Sequence, residues 1–393
     1  MSNSYDVVII GGGVIGSATA YFLASNADFD GSVAVIERDS TYENAPSAKA
    51  TGGIRQQFST PENIQIGLFG AHFVKHADEY LEVDGEGPGL VFREQGYLVL
   101  ASPDALPILT QNHATQRAEG ADILHLDPGA LAEKFPWLNV ESLGGGFFGA
   151  SDEGWLDPYG LLQAFKRKAR SLGVTYVNDE VMDVAHDTGV ARSVTLRSGK
   201  TLAAGTFINS AGASGAKAIA QSLGVEIPVE SRLRATFVFE CREDLSSAPL
   251  TVLPNGQAWR PEGSRFLSNL APPAERDPER YDYDMDHDQF ESEMWEPLAT
   301  YVPAFEAVKV VQAYCCHYDL NTLDENAILG LLPGFSNAYL TAGFSGHGMQ
   351  QAPAVGRAMS ELITYGEFRS LDLTRFGYER VLRGEGIFES HCW

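Results

Sequence analysis

"YDVVIIGGGVIGSATAYFLA", Tyr5 to Ala24, is the stretch on which the fold turns. Val7 to Ile10 read as a buried parallel strand. Gly11, Gly13 and Gly16 make G-x-G-x-x-G, and Ser17 to Ala24 read as a helix of mostly small residues. The first glycine permits the tight turn, the second lets backbone approach a pyrophosphate, and the third lets helix pack on strand. "SVAVIERDS" follows as a second strand and ends in Glu37, 21 residues after Gly16. A carboxylate there can accept hydrogen bonds from a ribose. The glycines alone would fit a turn in an unrelated α/β protein. With both strands, the helix and the acid, they point to an adenine dinucleotide, without separating NAD from FAD.

Outward from this motif the chain departs from an NAD domain. No run of further βα units follows Glu37. A glycine-bearing loop, Thr51 to Arg55, leads instead into a helix expected over Pro61 to Leu81. Ser59-x-x-Glu62 reads as its capping box, Pro61 as its first-turn proline, and Ile64, Leu68, Phe73 and Tyr80 as buried positions. "GYLVLA" (Gly96–Ala101) opens a strand-rich region. "DPYGLLQAFKRKARSLGVTYV" (Asp157–Val177) returns to helix and strand, and "TFINSAGASGAKAIAQSLG" (Thr206–Gly224) is a second strand, glycine turn and helix. Strands recur between Ala235 and Leu270. The acidic "PPAERDPERYDYDMDHD" (Pro272–Asp288) reads as a surface excursion.

A third strand–glycine–helix unit lies in "NAYLTAGFSGHGMQ", with apolar residues at helical spacing after Gln350. A glycine turn opening a helix favours an electron-rich or anionic ligand. On its own it reads equally well as a plain turn containing His347. The three units lie at the beginning, middle and end of the chain. The economical arrangement is one nucleotide-binding domain (1–85, 145–225 and 325–393) carrying an inserted, mainly antiparallel β domain (86–144 and 226–324).

Composition narrows the function. With 393 residues, two domains are expected. The net charge of −24 and the lack of a basic stripe argue against nucleic acid. A carboxylate substrate would need local cations against that background. Cys241, Cys315, Cys316 and Cys392 form no Cys-x-x-Cys pair and suggest no disulfide framework. The N-terminus lacks a basic region, and no apolar run is long enough to span a bilayer. A reducing, cytoplasmic setting is the expectation, with no membrane insertion and no metal.

"VVIIGGGVIGSATAYFLA", "TGGIRQQFS", "FINSAGASG", "DLNTLDENAILG" and "YLTAGFSGHGMQQAPAVGRAMSELI" together resemble the D-amino-acid-oxidase-type flavoproteins. The branch they are most similar to is that of sarcosine oxidase and dimethylglycine dehydrogenase. The motifs span nearly the whole chain in order. The resemblance implies an α/β fold: a glutathione-reductase-type FAD-binding Rossmann domain with a β-sheet substrate domain over the ring. It implies FAD, with Gly11, Gly13, Val14, Ile15 and Gly16 at the pyrophosphate and Glu37 at the ribose. Val181 matches the position that meets the adenine, and Thr51, Gly52, Gly53 and Arg55 match the loop beside the isoalloxazine. Arg38, Ala211 and Gly212 join the cofactor-binding set, as do Gly346, Gly348, Met349 and Gln350. His347 would sit at the flavin and substrate, where the turn's N–H groups stabilise negative charge on the reduced ring.

The reaction so implied is hydride transfer from a carbon beside an amine nitrogen to flavin N5. Imine hydrolysis follows, and the electrons pass to O2, giving H2O2, or to another acceptor. Two departures from small sarcosine oxidases stand out. Phe58 replaces an arginine and Gln350 a lysine of the pair that grips the substrate carboxylate in the family. Arg260 and Arg265 are the candidate replacement cations; the latter lies near a family lysine linked to O2 reactivity. Either reads equally as a solvated strand residue. Cys316 aligns with a thioether-forming cysteine only with one inserted residue, so non-covalent FAD is expected and the thioether is a minor alternative.

The leading reading is oxidation of the secondary or tertiary amine of an N-substituted glycine, sarcosine-, dimethylglycine- or iminodiacetate-like. Glycine, a D-amino acid or proline is the alternative substrate. A flavoprotein that serves in assembly or binding, without turnover, is the alternative of another class.

Overall fold

A computed structural model describes residues 4–390; Cys392 lies outside them. The opening folds as its glycines require. β1 (Ser4–Ile10) ends at Gly11, whose φ is 102°, and α1 (Val14–Ser25) follows. A Cβ on Gly11 would lie 2.3 Å from the Ser210 carbonyl oxygen, and one on Gly16 only 2.0 Å from that of Gly11. Backbone meets backbone at both positions, so no side chain fits. β2 (Val33–Glu37) is buried up to its terminal acid.

α2 (Pro61–Lys75) is shorter than its apolar pattern predicts. The backbone leaves helical geometry at His76, and Ala77–Tyr80 forms a separate turn. Ile64 and Phe73 are buried; Leu68 and Tyr80 are half-buried. The capping box does not form. Thr60 is the N-cap residue and makes no side-chain cap bond. The Ser59 and Thr60 hydroxyls donate instead to the Glu389 carboxylate, which also accepts from the Ser59 N–H and the Asn63 amide. A half-buried carboxylate from the far end of the chain thus holds the Ser59 and Thr60 groups that a local cap would have used.

The next strands are β3 (Tyr97–Ala101), β4 (Ile123–Leu126) and β5 (Gly145–Gly149). α3 (Pro158–Ser171) leads into β6 (Thr175–Asn178), β7 (Val181–Asp187), β8 (Val190–Leu196) and β9 (Thr201–Asn209), and α4 (Gly212–Ser222) follows. Then come β10 (Val229–Glu240), β11 (Leu250–Val252), β12 (Ala258–Glu262), β13 (Arg265–Asn269) and β14 (Lys309–Asn321). The last units are β15 (Ile328–Leu331), β16 (Ala338–Ala342) and α5 (Gly348–Tyr365).

Two eight-stranded sheets result, an α/β class with the architecture expected from the motifs. The first runs β15-β16-β9-β1-β2-β6, with the β7–β8 hairpin added to β9. It is parallel from β16 to β6. The three glycine turns follow β16, β9 and β1, which are adjacent, so α5, α4 and α1 begin along one edge. The second sheet runs β14-β10-β13-β12-β11-β3-β5-β4 and is antiparallel except at β3 and β11. β5 pairs with β3 and β4 there. Gly145–Gly149 therefore belongs with the second sheet, not with the FAD-binding segments to which the sequence assigned it. Its glycines fit between the two neighbouring strands, a pairing that no local pattern announces.

Pro272–Asp288 is also more than a surface excursion. Asp277 is buried and paired with Arg234, Lys217 pairs with Glu279, and the Asp282 carbonyl lies 2.7 Å from His317 Nε2. The segment is thereby tied to β10, α4 and β14. Among the described residues no helix is long and apolar enough to cross a membrane.

Candidate cofactor and substrate cavity

One cavity of about 860 Å³ runs along the edge where the three helices begin. It starts at Glu37, Arg38 and Val181, passes Gly11, Gly13, Val14, Ile15, Ala211 and Gly212, and reaches Thr51–Gly53 and Gly346–Gln350. Its size lies within the roughly 300–1,000 Å³ of small-molecule and cofactor clefts. The first N–H groups of α1, α4 and α5 have no carbonyl one turn back, and all three helices open onto this space. Aligned helix N-termini supply N–H donors and positive potential, which suits a pyrophosphate at one end and an electron-rich ring at the other. The donor set therefore fits FAD.

At the nucleotide end, Glu37 accepts from the Gly12 N–H (2.8 Å) and the Asp39 N–H (2.9 Å). Burial pushes its carboxyl up, and those N–H groups pull it back. Arg38 reaches Ser214 Oγ at 2.5 Å. The Val14 N–H donates to Ser47 Oγ at 3.0 Å. Gly16 does not line the cavity; it serves the packing of α1 on β1.

At the other end lies Arg55, buried at 3% exposure. Its backbone N–H donates to Gln350 Oε1 (2.9 Å), Nη1 to the Tyr97 hydroxyl (3.2 Å), and Nη2 lies 3.1 Å from His347 Nε2. The guanidinium also lies 4.8 Å from the Phe58 ring centroid and 5.4 Å from that of Tyr97. His347 is the N-cap residue of α5 and packs edge-on against Phe58 at 5.2 Å. Beneath it, Asp319 Oδ2 accepts the Gly343 N–H (2.7 Å) and the Phe344 N–H (3.2 Å), which fixes the turn. Burial raises the Asp319 carboxyl to about 6.

The sequence-predicted cations divide. Arg55 is on the cavity wall. Arg260 is buried behind it: Nε donates to the Thr51 carbonyl (2.7 Å) and Nη1 to the Pro261 carbonyl and to Glu262. It braces the loop rather than reaching the cavity. Arg265 does not approach the site. It flanks the β12–β13 turn, points to solvent and pairs with Glu240 at 3.2 Å. Strand alternation places Phe266, not Arg265, inward. The guanidiniums missed by sequence reasoning are Arg232 and Arg234, on the wall with Tyr318. The alternation of Arg232, Arg234 and Thr236 in "SRLRATF" was the available signal. Cys316 lines the cavity, and burial pushes its thiol up to about 11. Cys315 points the other way, toward the Tyr283 carbonyl at 3.6 Å. Cys241, Cys315 and Cys316 are free thiols.

The model of the FAD-dependent oxidoreductase family, of D-amino-acid-oxidase type, matches residues 6–362. The chain belongs to this family. An oxidoreductase of this family uses FAD, and the cavity's donors suit it. A relative from Bos taurus, "FAD-dependent oxidoreductase domain-containing protein 1", is 38% identical over 98% of this chain and 86% of its own. The monomeric sarcosine oxidase of an Arthrobacter species is 24% identical, covering 97% of each chain. Among solved structures, the L-proline dehydrogenase from P. horikoshii superposes with a TM-score of 0.88 at 23% identity, over 98% of this chain and 100% of that one. That likeness shows the fold.

Proposed function

We propose that this oxidoreductase oxidises the secondary or tertiary amine of an N-substituted glycine carrying one free carboxylate. The observation that carries the reading is Arg55: a buried guanidinium held against His347 at the mouth of the α5 turn. The similarity to sarcosine oxidases over nearly the whole chain supports the substrate class. FAD, when bound, supplies the hydride acceptor and passes the electrons to O2 or another acceptor.

The chain's own residues do the rest. Arg55 binds the substrate carboxylate through charge-assisted hydrogen bonds. The Phe58 and Tyr97 rings and Gln350 set its direction. Its charge beside the amine favours the neutral base, the form that can be oxidised. The turn at Gly346–Met349 and the α5 N-terminus oppose negative charge that develops in front of them. His347 positions the substrate between Arg55 and that turn. Non-covalent FAD is part of the reading, because Cys316 matches the thioether-forming position only with one inserted residue. The division proposed for the chain is a nucleotide-binding part built on the first sheet and a substrate part built on the second.

The test is anaerobic mixing of the holoprotein with N-methylglycine, N,N-dimethylglycine, iminodiacetate, glycine, D-alanine and proline, followed by flavin absorbance. The N-substituted monocarboxylates should bleach it fastest. Faster bleaching by proline or D-alanine would move the reading to amino acid oxidation. A flavin inert to every amine would favour a binding or assembly role.

A further inference from the structure

A second guanidinium on the cavity wall already holds a carboxylate. Arg234 gives one N–H to each oxygen of Asp277, both at 2.7 Å, and a third to the Tyr318 hydroxyl at 3.0 Å. It also lies 4.3 Å from the Tyr318 ring centroid. This two-pronged geometry is how a guanidinium recognises a carboxylate. The Arg234 and Asp277 side chains are only 16% and 11% exposed, and Arg234 Nε is buried without a partner. Both residues and Tyr318 line the same cavity as Arg55 and His347. The Tyr318 ring also touches the α5 turn: a Cβ on Gly346 would lie 3.0 Å from it. Asp277 belongs to neither sheet. It comes from the Pro272–Asp288 segment, of which Pro272, Ala274 and Asp277 line the cavity. Arg232 lines the cavity too and is matched by Glu230.

We propose that Arg234 is a second carboxylate-recognition residue of this site and that Asp277 is the resident carboxylate that fills it, excluding substrates with two free carboxylates. The inference rests on the proposed carboxylate role of Arg55 and names the feature that sets the carboxylate count. A buried guanidinium deprived of its partner is left uncompensated. The second carboxylate of a molecule already held at Arg55 then gains affinity by reaching it. A molecule that presents one carboxylate to Arg55 and another to Arg234 is a dicarboxylate.

The test is titration of the FAD-loaded protein with acetate, malonate and succinate, read as perturbation of the flavin spectrum. Losing the competing carboxylate should tighten malonate or succinate binding by about tenfold or more in Asp277→Ala, the scale of a charge-assisted bond. Acetate binding should change little, and Arg234→Met added to Asp277→Ala should abolish the gain. No gain, or a gain that survives Arg234→Met, would overturn the proposal. Asp277→Asn keeps the shape of the pair and serves if Asp277→Ala loses FAD. Wild-type protein gives an independent reading: succinate should bind no tighter than acetate, and a marked preference for succinate would also overturn it. These titrations need no turnover. A protein that oxidises no amine would still show the expected shifts, so failure here and failure of the substrate reading are distinguishable.

Discussion

The two walls of the cavity are built from different parts of the chain. The parallel sheet contributes backbone: N–H groups at the starts of α1, α4 and α5, laid bare by Gly11, Gly13, Gly212 and Gly346. The antiparallel sheet contributes side chains: Tyr97 from β3, Arg234 from β10 and Tyr318 from β14, with Arg55 on the loop between the sheets. Backbone groups cannot be exchanged by substitution; they can only be blocked. Side chains can be exchanged one at a time. On the proposed reading, cofactor binding is tied to the first sheet, whereas substrate choice rests on Arg55 and on the side chains that the second sheet turns inward. Damage to the first wall should empty the site, and damage to the second should leave FAD in place with altered kinetics.

The largest effect expected is at the first wall. Gly11→Ala forces a Cβ onto the Ser210 carbonyl at a φ of 102°. The purified variant should retain less than about a tenth of the wild-type FAD, since the left-handed backbone and the contact are both unfavourable. Full FAD content would break the comparison at its base. His347 sharpens it, because it sits in a backbone-built turn yet carries a ring proposed to act at the substrate. His347→Ala should keep FAD and slow anaerobic flavin reduction, with a ceiling of about a hundredfold for one preorganised stabilising group. An unchanged reduction rate would leave the turn to its backbone alone.

A smaller effect concerns the seam between the walls. Glu153 is fully buried and accepts the Gln56 N–H (2.6 Å) and the Gln57 side-chain amide (2.7 Å), which fixes the residues beside Arg55. Burial pushes its carboxyl up to about 7, against the pull of those donors and of Arg55. A folded pKa above the ordinary 4.5 means that the contribution to stability is present below pH 4.5 and is lost as pH rises through 7. Between pH 5 and pH 8 the stability difference should move toward Glu153→Gln by up to about 3 kcal/mol. Parallel melting curves across that range would contradict the buried charge. The smallest effect is at Arg265, on the outer side of the second sheet. Arg265→Ala should leave both half-reactions unchanged and shift stability by no more than about 1 kcal/mol, as for exposed ion pairs. A slower reoxidation would return Arg265 to the site.

The same contrast governs what could be read in the sequence. Gly11, Gly13, Glu37 and the Gly346–Met349 turn are local, because each backbone feature is set by a few adjacent residues. Arg55 was legible as the cation of such a loop. The side-chain wall was not. Whether Arg234, Arg260 or Arg265 faces the cavity depends on strand register and on Asp277, 43 residues beyond Arg234. Arg265 was chosen by its place along the chain, and alternation turned it outward. Gly145–Gly149 was assigned to the wrong sheet for the same reason, since its partners are fixed by pairing and not by neighbours. The cap on α2 was mistaken because its acceptor, Glu389, comes from the opposite end of the chain.

The central claim is that the first wall holds FAD while Arg55 selects the substrate carboxylate. It is tested most directly by one pair of ratios. Wild-type protein and Arg55→Met, matched for FAD content, are mixed anaerobically with N-methylglycine and with its amide, and the reduction rates are compared. Wild type should favour the acid by about tenfold or more, the scale of one charge-assisted hydrogen bond. Arg55→Met should keep its FAD and bring the ratio close to one. An undiminished preference for the acid in Arg55→Met, or loss of its FAD, would contradict the division of labour between the two walls.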